Sequence, residues 1–468
     1  MNPMLAANGV LTPEVLIIGG GPGGYVAAIR AGQLGLDTVL VDGDRLGGTC
    51  LIRGCIPSKA LIHVAGLYDE MVKAAGEKGR YGIHLGAAPS LDFAATIGWK
   101  NGVVERLSNG VSGLLRKARV NVVSGWAKFS DAKTCHVETV EGVITIRPEH
   151  VILATGSRPV ELPFLPFGGK VISSTQALEL TEVPKRLVVV GAGYIGMELG
   201  IAFAKLGAEL VIVEAQDRIL PLYDTTLTNP VRKWLERHGV VLHLGSKVNG
   251  ISGDNLNIET ALGERLALPA DKVLVTVGRK PHTEGWGCEA MALAMDGRFV
   301  KVDDRCATAT TNVWAIGDLV GEPMLAHKAS AQGEMVAEII AGHKRRFDPA
   351  AIPAVCFTEP EIVSVGLDVA GEQHVTGQFP FQANGRALSM DSGDDGGFVR
   401  TIADRQSGRI LGIQAVGKHI SELAGEFTAL IEMGATLDDM AGVIHAHPTL
   451  GEAAHESALK ALGRALHI

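Results

Sequence analysis

The sequence predicts an α/β protein with two similar Rossmann-like units and a smaller α+β domain at its carboxyl end. Residues 14–44 and 186–217 align without gaps as an apolar strand, a glycine-rich turn, a helix and a second strand. After Pro353 the pattern changes to alternating strands followed by helices. A chain of 468 residues is long enough for roughly two to four domains, so these units account for its length.

Both repeated units carry the features of a dinucleotide-binding site. In the spacing G-x-G-x-x-G the first glycine makes a tight turn, the second admits a pyrophosphate and the third lets the helix pack on the strand. The helix amino terminus offers free N–H groups to the phosphates, and an acid at the end of the second strand accepts hydrogen bonds from ribose. The residues are Gly19, Gly21, Gly24 and Asp42 in the first unit, and Gly191, Gly193, Gly196 and Glu214 in the second.

The residues around each turn predict which dinucleotide it holds. Glu214 would repel a 2′-phosphate and no arginine follows it directly, so the second unit is predicted to bind NAD rather than NADP. The first turn, Gly-Gly-Gly-Pro-Gly-Gly, favours a tightly held FAD. Asp318, after Gly317, is predicted to contact the flavin ribitol; alternatively it is a turn residue before a helix.

A second repeat predicts how the units close. Residues 151–159 and 272–281 are both apolar strands that run into a small-residue turn, an arginine and a proline. Residues 311–342 read as a strand, a Gly-Asp pair and a helix that return to the first unit. We therefore predict an FAD-binding domain at 1–150, an NAD-binding domain at 151–280, a central segment at 281–350 and an interface domain at 351–468.

Composition argues against two classes of partner. The net charge of −8 and the pI near 6.0 disfavour nucleic acids and anionic membranes. The first residues lack the pattern of a signal or transit peptide, and the apolar stretch 186–207 reads as strand, turn and helix. We therefore expect a cytoplasmic protein, in which a disulfide is more often catalytic than structural.

Cys50 and Cys55 lie five residues apart in "GGTCLIRGCIPSKALI". Zinc would need a second ligand pair that the sequence does not place nearby, so no metal site is predicted; two unconnected buried cysteines are another alternative. A redox pair is favoured. In an ideal helix their Cα atoms would be roughly 8–9 Å apart, whereas a disulfide tolerates at most about 7 Å. The pair therefore predicts a distorted helix start, for which Gly54 and Pro57 supply the means.

The segment "HAHPTLGEAAHE" (445–456) has three interpretations. Thr449 and Glu452 have the spacing of a helix capping box. His445 and His447 could be an H-x-H metal pair. His447 could also be an acid–base residue that Glu452 orients. The residues alone leave these alternatives open.

Taken together, several segments resemble the flavoprotein disulfide reductases, and most closely those that oxidise dihydrolipoamide with NAD. They are "GGTCLIRGCIPSKAL" (47–61), "AIGD" (315–318), "MLAHKA" (324–329), "FTEPE" (357–361) and "HAHPTLGEAAHE". The resemblance covers essentially the whole chain. It implies a homodimer with a shared active site, and as partners lipoyl domains and the lipoyl-bearing E2 core of a 2-oxo acid dehydrogenase complex, or a lipoyl carrier protein.

The resemblance also implies roles for individual residues. Cys50 would exchange with the substrate sulfur and Cys55 would face the flavin. Lys59 and Glu198 would form an ion pair beside the reactive flavin edge. His447 would be the catalytic base of the other subunit's disulfide, and Glu452 would orient it. Further cofactor contacts are expected from Gly48, Thr49, Lys59, Ala127, Thr155, Gly156, Ser157, Ala326, Tyr194, Ile195, Val248, Gly278 and Arg279.

Two rival functions and one open residue remain at this point. A glutathione- or mercuric-reductase type would also use FAD and a cysteine pair, but the first would want basic NADP-reading residues and the second extra cysteines near the carboxyl end. A non-catalytic docking subunit would have no use for the thiols and the two nucleotide sites. Arg53 either places a cation near the thiols or is a solvated surface charge.

Overall fold

The computed structural model describes residues 9–76 and 79–468. Up to residue 159 the elements are β1 (Val10–Leu11), β2 (Val15–Ile18), α1 (Pro22–Gln33), β3 (Thr38–Asp42), α2 (Gly48–Arg53), α3 (Cys55–Ala74), α4 (Phe93–Lys117), β4 (Asn121–Ser124), β5 (Trp126–Asp131), β6 (Thr134–Thr139), β7 (Gly142–Ile146), β8 (His150–Leu153) and β9 (Ser157–Pro159). Up to residue 281 they are β10 (Val171–Ile172), α5 (Ser174–Ala177), β11 (Arg186–Val190), α6 (Tyr194–Lys205), β12 (Glu209–Val213), α7 (Thr225–Arg237), β13 (Val241–His243), β14 (Lys247–Ser252), β15 (Asn255–Glu259), β16 (Arg265–Pro269), β17 (Lys272–Val275) and β18 (Arg279–Pro281).

The remaining elements complete the first unit and build the third. They are β19 (Met295–Asp296), β20 (Phe299–Val300), β21 (Val313–Ala315), α8 (Ala326–Ile340), β22 (Ala354–Cys356), β23 (Glu361–Gly366), β24 (His374–Pro380), α9 (Gly385–Ser389), β25 (Phe398–Asp404), β26 (Ile410–Gly417), α10 (Ala424–Glu432), α11 (Leu437–Gly442) and α12 (Glu452–Ala461).

Three five-stranded sheets organise these elements. The first, β21-β8-β2-β3-β4, and the second, β10-β17-β11-β12-β13, are parallel throughout. The third, β22-β23-β26-β25-β24, is antiparallel. Central strands such as β2 and β11 are almost wholly buried, which explains their continuous apolar runs. The predicted class, two Rossmann-like units and an α+β domain, is confirmed.

One predicted domain boundary needs correction. The boundary at residue 150 falls within the first sheet, because β8 pairs along its length with β2. The first unit therefore extends past Leu153, and β21 lies beside β8 in the same sheet. This agrees with the sequence repeat, which indicated that residues 151–159 close the first unit. The boundary between the first two units is therefore set by the pairing of β8 with β2 and β21.

One hydrophobic cluster contains side chains from all three units. Leu61 in α3, Phe203 in α6 and Ile362 in β23 belong to the same buried cluster. The packing of this cluster therefore fixes the positions of the three units relative to one another.

The segment Gly48–Ala74, with a mean hydropathy of 1.3, is long and apolar enough to cross a bilayer by length and composition alone. It is interrupted at Gly54, between α2 and α3. Leu61 and Ala65 are buried against the protein core, and Lys59 lines the central cavity. Part of the apolar surface of this segment is therefore packed within the protein.

Candidate active site

A cavity of about 450 Å³ lies where the first two units meet. The first glycine-rich turn, the break between α2 and α3, and the first turn of α6 all contribute to its wall. The predicted site residues that line it are Gly19, Gly21, Asp42, Gly48, Thr49, Cys50, Cys55, Lys59, Ala127, Thr155, Gly156, Ser157, Tyr194, Ile195, Glu198, Arg279, Asp318 and Ala326. The structure thus brings most of the predicted residues together around one space.

The thiol pair lies at a break between two helices. Gly54 has φ −141° and ψ −113°, so α2 ends at Arg53 and α3 begins at Cys55. A Cβ atom at residue 54 would lie 2.7 Å from the carbonyl oxygen of Thr49, which excludes a larger residue without movement. The distortion expected from the spacing of the cysteines is therefore present, and it is made at Gly54. Pro57 lies inside the first turn of α3, where proline is tolerated.

The two thiols differ in acidity because they are hydrogen-bonded to each other. The Cys50 thiol donates to the Cys55 sulfur, which lowers the pKa of Cys55 to about 7 against the opposing effect of burial; the charge of Lys59 lowers it further. The same hydrogen bond and burial raise the pKa of Cys50. Cys55 is therefore the sulfur that becomes a thiolate first.

Three units of the protein meet at Glu198. Its carboxylate accepts from the Lys59 ammonium at 2.7 Å and from the backbone N–H of Phe357 at 3.0 Å. The Lys59 nitrogen also lies 4.4 Å from the centroid of the Phe357 ring, a cation–π contact. The Glu198 side chain is only 5% exposed, so these hydrogen bonds supply partners for a nearly buried carboxylate.

Sequence reasoning assigned no role to Phe357, although it singled out the segment in which this residue lies. The ring faces Lys59 while the backbone holds Glu198, so one residue contacts both members of the pair. Phe357 is far from Lys59 and Glu198 in the chain, and a single sequence gives no information about which distant residues are in contact.

The acids at the two strand ends are held in the same way. Asp42 accepts from the backbone N–H groups of Gly20 and Asp44. Glu214 accepts from the N–H of Ala192 at 2.6 Å and of Gln216 at 2.8 Å. In both units one carboxylate therefore joins the strand end to the glycine-rich turn, and burial raises the pKa of Asp42. The repeat seen in the sequence is also a repeat of hydrogen bonds.

Both glycine-rich turns fit a bound pyrophosphate. The helices that follow, α1 and α6, each have 12 residues and begin after a glycine, with no side chain capping the first N–H groups. Those donors need an acceptor, and a phosphate at a helix amino terminus supplies one. A Cβ on Gly193 would meet nothing within 4 Å, so space for a ligand lies next to the second turn. Gly24 packs so closely that a Cβ there would lie 1.7 Å from the Gly19 carbonyl oxygen.

A chain of hydrogen bonds connects the predicted flavin side with the second unit. The Ser157 hydroxyl donates to Asp318 at 2.5 Å, and the Arg279 guanidinium donates to the Ser157 hydroxyl and carbonyl, both at 2.8 Å. Gly278, which precedes Arg279, has φ +123°. Val248 lies apart from the cavity, in β14, where it packs against the core beneath the second sheet.

His447 and Glu452 lie on the third unit and do not line the cavity of their own chain. The Nδ1–H of His447 donates to Glu452 at 2.9 Å, and the N–H of Thr449 donates to the other oxygen of Glu452 at 2.8 Å. Burial raises the pKa of Glu452, but these two hydrogen bonds bring it below its ordinary value. Glu452 therefore orients His447 and forms one half of the predicted capping box; the other half is absent, because the Thr449 hydroxyl donates to the Ala446 carbonyl and α12 begins after Gly451.

The H-x-H metal alternative is not supported. Both ring nitrogens of His445 are engaged, Nδ1 with the carbonyl of Val443 at 3.1 Å and Nε2 with Glu426 at 2.9 Å. Neither nitrogen remains for a shared metal with His447. The side chain of His447 is 78% exposed, and its Nε2 is free of these contacts.

Arg53 is paired with an acid of the first unit. Its guanidinium forms an ion pair with Asp44, and its charge lowers the pKa of Asp42. Lys59 is the cation with the largest effect on the pKa of Cys50 and Cys55. Arg53 therefore lies at the end of α2, in the wall of the same cavity as the two cysteines, and its charge is paired with a strand-end acid.

Comparison with known proteins agrees with this geometry. Residues 13–333 match the family model of the pyridine nucleotide-disulphide oxidoreductases, and residues 352–458 match the model of their dimerisation domain. The chain is similar to the dihydrolipoyl dehydrogenase of Pseudomonas aeruginosa, with 56% identity over 98% of this chain and 99% of the relative. It is 49% identical to that of Haloferax volcanii over 97% of both chains and 43% identical to that of Geobacillus stearothermophilus over 99% of both.

Solved structures lead to the same family. The crystal structure of LpdA from Mycobacterium tuberculosis superposes with a TM-score of 0.86 at 25% identity, over 96% of this chain and 99% of that one. The flavoprotein disulfide reductase RclA from Escherichia coli gives 0.84 at 26% identity, over 96% and 99%.

Proposed function

Because the chain belongs to the pyridine nucleotide-disulphide oxidoreductase family, we propose that it catalyses the dihydrolipoyl dehydrogenase reaction, in which dihydrolipoamide is oxidised to lipoamide and NAD⁺ is reduced to NADH. The observation that carries this proposal is the thiol pair Cys50 and Cys55 at the helix break, on the wall of a cavity beside the Lys59–Glu198 pair. It occurs in a chain that matches curated dihydrolipoyl dehydrogenases from end to end.

The protein uses FAD and NAD. When bound, FAD accepts two electrons from the reduced thiol pair and passes them to NAD⁺. Gly21 and the start of α1 would hold its pyrophosphate, Asp42 its ribose and Asp318 its ribitol. The start of α6 and Glu214 would hold NAD. The uncapped helix starts and the strand-end carboxylates support both assignments.

The thiol pair exchanges electrons with the substrate by disulfide exchange. A dihydrolipoamide thiolate attacks the Cys50 sulfur, the Cys50–Cys55 bond breaks, and its electron pair leaves on Cys55. The second substrate thiol then attacks the sulfur bound to Cys50, which forms the lipoamide disulfide and releases Cys50. The low pKa of Cys55 supports this direction, because a more acidic thiol is the better leaving group. The positive charge of Lys59 favours that thiolate, whereas the carboxylate of Glu198 opposes it and holds the Lys59 ammonium in place.

His447 would take the proton from the attacking substrate thiol. Glu452 fixes its Nδ1–H, so Nε2 is the atom that accepts the proton. Because His447 is exposed in its own chain and outside the cavity, we propose that it acts on the thiol pair of the other copy in a homodimer. The match of residues 352–458 to the dimerisation domain supports that assembly.

The proposed partners follow from the substrate. Dihydrolipoamide is presented on lipoyl domains, so we propose docking to the E2 core of a 2-oxo acid dehydrogenase complex or to a lipoyl carrier protein, in the cytoplasm. Relatives in bacteria and archaea that match almost the whole chain support this setting.

The test combines substrates with single cysteine variants. Purified protein should be yellow and oxidise dihydrolipoamide with NAD⁺, with far lower rates on NADP⁺ or on glutathione disulfide with NADPH. Cys50→Ser and Cys55→Ser should abolish lipoamide turnover and keep the flavin, whereas Cys288→Ser, in a buried cysteine outside the cavity, should keep both. A colourless protein, or full activity in either active-site variant, would contradict the proposal.

A further inference from the structure

Trp126 is a large aromatic residue that the proposed chemistry does not use. It begins β5 and leaves 63% of its surface exposed. It lines the central cavity together with Asp42 and Gly43. The backbone N–H of Gly125 donates to the Asp42 carbonyl at 2.9 Å, so the start of β5 is fixed beside the first strand-end acid.

One face of the indole covers Gly43. A Cβ atom at residue 43 would lie 2.5, 2.6 and 2.7 Å from three adjacent ring atoms, Cδ2, Cε2 and Cε3. Nearly equal distances to three neighbouring atoms mean that the ring lies across this position with its face rather than its edge. Gly43 is not among the residues with positive φ, so contact with the indole, and not backbone strain, is what opposes a side chain there.

Trp126 is nevertheless 63% exposed and lines the cavity, so its open surface includes the side of the ring turned away from Gly43. A ring with one face packed on a backbone and the other exposed at a cavity is a flat apolar platform next to a carboxylate that can bind ribose. In a dinucleotide the group attached to that ribose is the adenine base, and stacking on an aromatic side chain is sequence-tolerant and strong. The shape and position of Trp126 therefore match a purine.

We propose that Trp126 stacks on the adenine ring of FAD and that Gly43 is small so that the indole can lie flat. The proposal rests on the proposed function only for the identity of the dinucleotide in the first unit. Trp126 thereby retains the cofactor and takes no part in the thiol chemistry.

The test measures ligand binding to full-length protein from which flavin has been removed. Trp126→Ala should raise the Kd for FAD and for ADP by about ten- to a hundred-fold, as expected for the loss of one stacked base, while Trp126→Phe should change it only a few-fold. The Kd for FMN, which lacks adenine, should stay the same in all variants.

A second variant makes the proposal independent of any general damage at Trp126. Gly43→Ala should displace the indole and weaken FAD and ADP binding in the wild-type background, and it should have no further effect in Trp126→Ala. Full FAD and ADP affinity in Trp126→Ala, or additive effects of the two substitutions, would overturn the proposal. A wild-type protein that binds no FAD would instead overturn the proposed function.

Discussion

The proposed proton transfer by His447 can be tested because its contacts predict how much each substitution slows the dithiol step. His447→Gln removes the base, so the reduction of oxidised protein by dihydrolipoamide should slow by about 10²–10⁴-fold. Glu452→Gln keeps one oxygen, which can accept from the His447 Nδ1–H; the amide NH₂ replaces the oxygen that accepts from Thr449, and the charge is lost. A hydrogen bond to a charged group contributes about 1.5–3 kcal/mol against about 0.5–1.5 for a neutral one. The difference of about 1–1.5 kcal/mol corresponds to roughly a five- to fifteen-fold slower rate.

The same region provides a matched control. His445 contacts Glu426 at 2.9 Å, the same distance as between His447 and Glu452, but it has no part in the proposed proton transfer. Stopped-flow absorbance of the flavin during reduction by dihydrolipoamide measures the dithiol step, and reduction by NADH measures the other half-reaction. His445→Gln should slow the dithiol step less than ten-fold, and reduction by NADH should be unaffected in all three variants. An unchanged dithiol step in His447→Gln would refute the reasoning, and so would a Glu452→Gln variant as slow as His447→Gln.

Three further predictions follow from the described contacts. In mildly reduced protein the long-wavelength absorbance of a thiolate beside the flavin should rise with pH through about 7, the pKa of Cys55; a midpoint near 9 would contradict the Cys50–Cys55 hydrogen bond. Lys59→Met leaves the nearly buried Glu198 carboxylate with one N–H donor, so it should lower the free energy of unfolding by about 2–3 kcal/mol. The loss is smaller than for a fully buried pair because the Lys59 side chain is 33% exposed. Lys73 forms an ion pair of the same 2.7 Å length with Asp69 on the surface of α3. Lys73→Met should lower the free energy of unfolding, measured by chemical denaturation, by about 0.5 kcal/mol or less. Glu214→Gln should narrow the preference of kcat/KM for NAD over NADP about ten-fold, whereas Glu209→Gln, at the other end of β12, should not.

The features predicted from the sequence were those with a fixed local spacing. The two glycine-rich turns, their helices and the strand-end acids occupy the expected positions, because backbone geometry and close packing dictate the residue types there. The helix break between the cysteines followed in the same way from the distance that two sulfurs can span, and Gly54 makes it.

Contacts between distant parts of the chain could not be read from one sequence. Arg53 was placed near the thiols because it lies between them in sequence, yet its side chain pairs with Asp44. The contact of Phe357 with both Lys59 and Glu198 depends on how the third unit packs on the first two. Likewise, residue spacing left Glu452 as either part of a capping box or a partner of His447; in the structure its two oxygens accept from His447 and from the Thr449 N–H, and the Thr449 hydroxyl takes no part in a box.

The meeting of three units at Glu198 limits how this chain can be rearranged by gene fusion or design. The ammonium, the carboxylate and the amide that meet there come from different units. If the second nucleotide-binding unit were excised, Glu198 would be separated from Lys59. A different unit inserted in its place would have to supply a carboxylate at the position of Glu198 in α6. A unit can therefore be exchanged only for one that keeps its own member of the set formed by Lys59, Glu198 and the Phe357 N–H. A protein that lacks one of the three units would lose the ion pair beside the thiols.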